Sequence, residues 1–472
     1  MEEIIELSKE SSTQTGELGI TVLNQWIREN YREQGLTYII KTWGCQMNER
    51  DSEIMAGVVE ECGYRRVTQE EEADLIVYNT CLIRENAEMK VFGNLGQLKA
   101  LKKKNPKMRI ALCGCMAQKE HIVAKLKKSY PHVDLVFGTH NIHELPMLLL
   151  ESYRRNKRQI HVLEDGVKTY QNLPSRRLFD FKGFVNIMYG CNNFCSYCVV
   201  PYTRGREQSR SKDEILAEVE AMAHAGYQEI TLLGQNVNSY GNDLDSSIVF
   251  SDLLEEIVAV DGIKRIRFMT SHPKDISTHL IDVMAKHPTI CNQLHLPIQA
   301  GSNRVLEKMN RKYTKESYLK MLNYAKATIP DLTISTDLIV GFPGETEEDF
   351  QDTLAMVEEA EYDFAFSYLY SPREGTPAAM DPNQVPDDVK HHRFDRLMET
   401  VNPIFLRKNE ALVGSSLTVL VEGVSKNDAS ILNGRTEGSK LIHFPGDPDL
   451  IGSIVRVKVK RAQTFILFGE VE

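Results

Sequence analysis

The stretch that decides the reading is Gly190-Cys191-Asn192-Asn193-Phe194-Cys195-Ser196-Tyr197-Cys198, which follows an extended apolar run from Phe184 to Tyr189. Three thiols fall there at spacings of four and three. A loop leaving a strand can fold three such side chains onto one centre, and packing alone rarely asks for that density. Soft thiolates so grouped suit zinc or the iron of an iron–sulfur cluster. Zinc sites usually draw on C-x-x-C pairs and want four ligands. Here only three are local, and no pair of Cys or His follows closely. A cube of iron and sulfide held by three cysteines leaves one iron open to a substrate or cofactor. The cluster is the favoured reading, with zinc and three packed core thiols as its alternatives.

Downstream of this loop, strands and helices alternate. Strands are expected at Phe184–Tyr189, Glu229–Leu233, Lys264–Met269, Gln293–Leu296, Thr333–Val340 and Tyr362–Tyr370, with helices such as Lys212–Ala225, Ile276–Lys286, Lys315–Ala327 and Glu347–Glu359 between them. Six such units make an open (β/α)6 barrel over 183–401, three-quarters of a full barrel, with a lateral opening wide enough for a macromolecule. Each strand ends in small or polar residues, among them Gly234-Gln235-Asn236, Thr270-Ser271-His272-Pro273, Pro297-Ile298-Gln299-Ala300 and Gly341-Phe342-Pro343-Gly344. Barrels of this kind carry their active sites on that rim.

Upstream, residues 36–153 show an earlier alternation. Apolar strands at Tyr38–Ile40, Asp74–Tyr78, Arg109–Leu112 and Val133–Phe137 are separated by helical spacing, which predicts a doubly wound parallel sheet with helices on its faces. Cys45, Cys81 and Cys115 each lie just past a strand end, 36 and 34 residues apart. A parallel sheet gathers its strand ends on one rim, where such folds build their sites. A second iron–sulfur site is therefore the favoured reading. Small buried residues at loop starts are the bland alternative, since Cys is commonly buried. Cys62, Cys113 and Cys291 lack the strand-end placement and read as packed thiols.

Residues 1–35 are polar, with one amphipathic patch, and read as a mobile or loosely docked extension. The basic stretch 154–182 reads as a linker, with a hairpin as an option. From 402 to 472 five short strands, Leu417–Glu422, Ala429–Leu432, Lys440–Phe444, Ile454–Ala462 and Phe465–Glu470, suggest a small antiparallel β-barrel of a kind often used to bind RNA. At 472 residues, 42% hydrophobic and 26% charged, the chain has the composition of a multidomain soluble protein of α/β class. The net charge of −10 argues against wholesale coating of nucleic acid, yet residues 402–472 carry nine Lys/Arg against eight Asp/Glu. No apolar run approaches the roughly 18 residues of a membrane span. The acidic start, Met1-Glu2-Glu3, is unlike a signal peptide. A cytoplasmic protein without a membrane partner is the expectation, and its nine cysteines then read as ligands or packed thiols before disulfides.

Thr42-Trp43-Gly44-Cys45-Gln46-Met47-Asn48, Asn79-Thr80-Cys81, Gly114-Cys115-Met116-Ala117-Gln118 and the loop 190–198 resemble the methylthiotransferase family of radical S-adenosylmethionine (SAM) enzymes. Val199-Val200-Pro201-Tyr202-Thr203-Arg204-Gly205-Arg206-Glu207 and Leu233-Gly234-Gln235-Asn236-Val237-Asn238 extend the match, and the tail resembles the TRAM RNA-binding module. The resemblance implies two [4Fe–4S] clusters. One, on Cys191, Cys195 and Cys198, cleaves SAM to a radical; the other, on Cys45, Cys81 and Cys115, handles sulfur and methyl transfer. It implies methylthiolation at C2 of isopentenyladenosine 37, beside the anticodon of tRNA. Gln46-Met47-Asn48 and Arg204-Gly205-Arg206-Glu207 favour that branch over those that modify threonylcarbamoyladenosine or an aspartate of a ribosomal protein. An RNA-binding iron–sulfur redox protein without turnover is the alternative outside enzymology. An external electron donor and a sulfur or cluster-delivery protein are the expected partners of a monomer.

Tyr197 is expected near the adenine of SAM, or as an ordinary buried aromatic. Gln235, Asn236, Ser271, His272 and Gln299 are rim candidates for SAM or the flipped base, although His272 before Pro273 reads also as a satisfied loop histidine. Arg204, Arg206 and Arg210 are candidates for tRNA phosphates or for surface ion pairs. In the tail, Arg435, Lys458, Lys460 and Arg461 are the candidates for backbone contacts.

Overall fold

In the structure, a computed structural model, residues 12–31, 35–82, 85–163, 173–245 and 247–472 are described. Two compact units divide the chain. The first comprises the residues up to Leu178 with Tyr189–Asn192 and Val199–Gln208; the second comprises Phe179–Met188, Asn193–Cys198 and Ser209–Glu472.

In the first unit six parallel strands, β1 (Leu36–Thr42), β2 (Tyr64–Arg66), β3 (Leu75–Thr80), β4 (Arg109–Gly114), β5 (Leu135–Phe137) and β6 (Gln159–His161), lie in the order β2-β1-β3-β4-β5-β6. Side chains alternate across a strand, so Leu75 and Val77 enter one core while Ile76 and Tyr78 enter the other. The first core takes Ile54 and Val58 from α2 (Gln46–Glu61) and Leu145 and Leu149 from α5 (Leu145–Arg155). The second takes Val91 and Leu95 from α3 (Glu85–Lys104) and Ile122 and Leu126 from α4 (Glu120–Ser129). Helices thus cover both faces, as the strand–helix alternation predicts, and the strand order reverses at β1 and β3.

Two segments of this unit differ from the sequence reading. The expected loose extension contains a 20-residue helix, α1 (Ser12–Tyr31), whose Leu23 and Ile27 are buried in the first core. Two such side chains contribute at most about 3–6 kcal/mol, enough to seat a helix whose remaining residues are mostly polar. The expected linker 154–182 supplies β6, which pairs in parallel with β5 instead of forming a hairpin. Residues 164–172 of that stretch lie outside the described residues.

The second unit opens with six parallel strands in sequence order, β7 (Lys182–Asn186), β8 (Glu229–Leu233), β9 (Arg265–Phe268), β10 (Gln293–His295), β11 (Thr333–Val340) and β12 (Phe364–Leu369). They form two three-stranded sheets joined through a parallel bridge between Ile266 and Ile290. This is the expected open (β/α)6 arrangement. Its outer core is built from one face of every strand, for example Val185, Ile230, Leu232, Ile266, Leu294 and Leu338.

The polar helix α6 (Asp387–Glu410) spans position 402, where the sequence reading placed a boundary. It leads into a closed barrel of β13 (Ser416–Val424), β14 (Ile431–Thr436), β15 (Leu441–Pro445), β16 (Ile454–Ala462) and β17 (Ile466–Val471), ordered β13-β14-β15-β17-β16. The expected small antiparallel β-barrel is thus present, with one pair, β15 and β17, running parallel. Val457 and Val459 point inward while Arg456, Lys458 and Lys460 stand outside.

The small barrel is fastened to the amino ends of the large barrel's strands. Arg265 donates to the carbonyls of Arg435 and Thr418 at 3.0 and 2.9 Å, and Arg267 to those of Glu437 and Thr436, both at 2.7 Å. Lys182 pairs with Glu422 at 2.6 Å and Lys440 with Asp363 at 3.0 Å. Arg267 is itself held by Glu229 at 3.0 Å.

Candidate active site

At the carboxyl end of the first sheet, β3 and β4 pair so that Thr80 lies opposite Gly114, and the next residues are Cys81 and Cys115. Cys45 caps the start of α2 just beyond β1. The backbone turns tightly here. Gly114 has φ +88°, and a Cβ on it would lie 2.3 Å from the Thr80 carbonyl oxygen. A Cβ on Gly44 would lie 2.9 Å from that of Cys81. Cys81 and Cys115 are hydrogen-bonded to each other, and Cys45 and Cys115 feel each other's charge. The three thiols expected from separate strand ends thus meet on one rim.

Buried amides scaffold this rim. Asn48 donates to Asn79 Oδ1 and to the Thr80 carbonyl, each at 3.1 Å, and Asn79 donates back to the Asn48 carbonyl at 2.8 Å. Arg204, 6% exposed, reaches Asp51 Oδ2 at 2.8 Å and Asn48 Oδ1 at 3.3 Å, and is hydrogen-bonded to Cys115. The Cys115 thiol is brought down to about 6, first by the Cys81 hydrogen bond, against burial and with help from Arg204. Burial pushes the Cys45 thiol up, with Arg204 pulling the other way. Cys113 points into the opposite core, 3.6 Å from the Met55 sulfur. Cys62 and Cys291 are also buried, and all nine cysteines are free thiols.

Cys191, in the first unit, is buried and donates its N–H to the Gly205 carbonyl at 3.1 Å. In the second unit, Cys198 N–H donates to the Cys195 carbonyl at 2.9 Å. A segment that the sequence reading did not single out holds this part of the loop. Ser196 Oγ donates to the Lys308 carbonyl at 2.8 Å, Asn310 to the Phe194 carbonyl at 2.9 Å, and Arg311 to Cys195 Sγ at 3.2 Å. Burial opposes charge on Arg311, but Tyr197, Tyr313 and Cys195 keep it cationic. Among the described residues no three His, Cys, Asp or Glu are set about a single ion.

The rim of the large barrel fits a polar cofactor. Asn186, on the face of β7 opposite Val185, has both amide atoms buried without a hydrogen-bond partner. Ser271 Oγ, His272 Nε2 and Tyr370 Oη are orphaned likewise. A buried polar atom without a partner costs about 1–3 kcal/mol, so five of them, on four residues around one set of strand ends, fit a ligand with many donors and acceptors. SAM would be such a ligand. His272 Nδ1 accepts from Lys274 N–H at 3.2 Å, which leaves the proton on Nε2. Burial, then Arg311 and Lys274, hold this imidazole neutral.

The other candidates are placed as follows. Asn236 is fully buried and structural, donating to Asp275 at 2.6 Å and accepting the His272 N–H at 3.0 Å. Gln299 is buried in a left-handed conformation at φ +73°, and Gln235 is half-buried. Tyr197 packs edge-on against Phe342 at 6.5 Å, with its phenol pushed up by burial.

Two of the expected RNA contacts are corrected. Arg204 is committed to Asp51 and the thiols, and Arg210 is buried against the Asn186 carbonyl and Glu218, both at 2.6 Å. Neither guanidinium faces solvent. Arg206, Arg435, Lys458, Lys460 and Arg461 are exposed. Lys460 pairs with Glu470 at 2.8 Å, and Arg461 lies 3.8 Å over the Phe468 ring.

The chain matches three known families in succession. These are the uncharacterized protein family UPF0004 over residues 37–138, the radical SAM superfamily over 185–357 and the TRAM domain over 410–471. It is 54% identical over 440 residues to the tRNA-2-methylthio-N(6)-dimethylallyladenosine synthase of Alkaliphilus oremlandii (strain OhILAs), covering 93% of each chain. It is 53% identical over 430 residues to the enzyme of that name from Clostridioides difficile (strain 630), covering 91% of this chain and 90% of that one. In fold it resembles the radical S-adenosylmethionine methyltransferase TsrM of Kitasatospora setae, with a TM-score of 0.54 at 13% identity over 73% of this chain and 74% of that one. With half its residues shared along nine-tenths of its length, the chain belongs to the tRNA-2-methylthio-N(6)-dimethylallyladenosine synthase family of radical SAM enzymes.

Proposed function

We propose that this protein methylthiolates C2 of N(6)-isopentenyladenosine at position 37 of tRNA, using two iron–sulfur clusters. The observation that carries the reading is the meeting of Cys45, Cys81 and Cys115 on the carboxyl rim of the first sheet, in a chain whose barrel loop carries three further cysteines. When bound, a cluster on Cys191, Cys195 and Cys198 supplies radical chemistry from SAM, and an auxiliary cluster on the other three supplies sulfur. The protein's own residues hold and orient these groups. Arg311 fixes Cys195, Asn48 and Asn79 brace the auxiliary thiols, and the orphaned atoms of Asn186, Ser271, His272 and Tyr370 are offered to the bound cofactor. A base in a single-stranded loop leaves its stack at small cost, which suits an anticodon-loop substrate. Arg206 and the exposed cations of the small barrel are proposed to hold the RNA backbone.

Sulfur leaves with the product, so a sulfur or cluster-delivery protein must replace it, and an external donor must provide the electron. No helix among the described residues is long and apolar enough to cross a membrane, and a cytoplasmic monomer is proposed.

The test is the iron and sulfide content of anaerobically reconstituted protein with and without Cys45, Cys81 and Cys115 replaced by Ala. The expected result is about eight irons falling to about four, with loss of the methylthio mass gain on prenylated tRNA and retained release of 5′-deoxyadenosine. A wild-type protein with a single cluster overturns the reading. Mass gain on threonylcarbamoylated tRNA, but not on prenylated tRNA, moves the substrate to the other branch. Absence of 5′-deoxyadenosine under reduction leaves the redox-protein alternative.

A further inference from the structure

Arg204 follows Cys198 by six residues, in a segment rich in cations, yet its guanidinium is buried. The backbone around it is pinned. The Gly205 carbonyl accepts the Cys191 N–H at 3.1 Å, and a Cβ on Gly190 would lie 2.0 Å from the Arg206 carbonyl oxygen. Thr203, on its other side, offers its carbonyl to Thr139 Oγ1 at 2.8 Å. The side chain reaches Asp51, 2.8 Å away, is hydrogen-bonded to Cys115 and feels the charge of Cys45. Burial opposes the charge, but Asp51 and these two thiols keep the guanidinium cationic.

A buried ion pair by itself is weak evidence for stability, since well-packed apolar residues often do as well. A buried pair whose cationic end is hydrogen-bonded to one proposed cluster-ligand thiol, Cys115, and acts on a second, Cys45, has a more specific use. Charge fixed in a buried site acts with little solvent screening. Reduction adds one negative charge to a cluster already held by negative thiolates, and a cation locked beside them favours that state. Removing Asp51 instead strips the cation of its counter-charge and strengthens its effect.

We infer that Arg204 is a positioning residue of the auxiliary site, a fixed cation that, with Asp51 as counter-charge, sets the reduction potential of a cluster held by Cys45, Cys81 and Cys115. The inference rests on the two-cluster reading above.

The test uses the full chain with Cys191, Cys195 and Cys198 replaced by Ala, reconstituted anaerobically so that only the auxiliary site can hold iron. Its midpoint potential is followed by electron paramagnetic resonance during redox titration. Arg204→Gln is expected to shift the midpoint to more negative values, Asp51→Asn to more positive values, and Arg204→Lys to stay near the parent. A merely structural pair would not move the potential in opposite directions at unchanged iron content. Iron-replete Arg204→Gln and Asp51→Asn proteins whose midpoints stay put, or move together, overturn the inference. Should Arg204→Gln fail to fold, Asp51→Asn decides alone, and an absent or negative shift there overturns it. If the parent binds no iron, the two-cluster reading falls and takes this inference with it, an outcome distinct from iron-bound variants with unmoved potentials.

Discussion

Asp349 shows how single side chains hold the rim in place. It sits in the first turn of the helix Glu347–Ala360, largely buried, and accepts from Ser302 Oγ at 2.6 Å, Thr346 N at 2.8 Å and Thr346 Oγ1 at 3.0 Å, as well as from Arg304. It thereby ties the loop that carries Gln299 to the loop after β11. Burial raises its carboxyl, but Arg304, Ser302 and Thr346 override this and hold it well below the usual carboxylate range. A depressed carboxyl stabilises the fold above its unfolded-state value of about 3.9, and that stability is lost as pH falls through the folded value. Asp349→Asn is expected to cost about 2–3 kcal/mol at neutral pH, and thermal melts should show the gap to the parent closing in acid. Such contacts explain which residues were legible in advance. The cysteines could be placed because each follows a strand, and strand ends of a parallel sheet share a rim. Arg204 and Arg311 could not, because Asp51 lies 153 positions from the first and Cys195 lies 116 from the second. An arginine that pairs across such a distance looks, in sequence, like any surface cation.

At the scale of elements, long amphipathic units were readable and short edge strands were not. Tyr64–Arg66 and Gln159–His161 have three residues each, too few to show a period, and exist because a neighbouring strand offers an unpaired edge. Helix Asp387–Glu410 hides behind its charge and an internal Pro403. The parallel pairing of β15 with β17 is a matter of topology that no local pattern carries. The attachment of the small barrel follows the same logic, since it depends on side chains meeting backbone carbonyls about 150 or more positions away. Each hydrogen bond from a charged donor is worth about 1.5–3 kcal/mol, with non-additivity among neighbours. Arg265→Ala combined with Arg267→Ala is expected to loosen the small barrel without unfolding the large one. Limited proteolysis checks this: cleavage near residues 411–415 should quicken while the fragment containing Cys195 and Cys198 stays intact.

For the whole molecule the net charge of −10 means that RNA must be held by local patches. The exposed cations Lys458, Lys460 and Arg461 stand on the outer surface of the small barrel, partly offset by Glu470. Replacing all three by Ala is expected to weaken tRNA binding and to flatten the slope of log affinity against log salt by about 2–3 units. An unchanged slope, measured by filter binding across salt concentrations, would mean that these cations never meet phosphate. The position of that patch carries a further consequence. The small barrel grips the amino ends of the strands, while the orphaned polar atoms lie at their carboxyl ends, one strand length away, which is about 20 Å for six residues. An RNA held by those cations, as proposed above, and modified at the other end would lie along the open flank between them. On the proposed contacts the fold would gauge its substrate as a caliper does, and a hairpin too short to span both jaws is expected to present the right nucleotide and still be turned away.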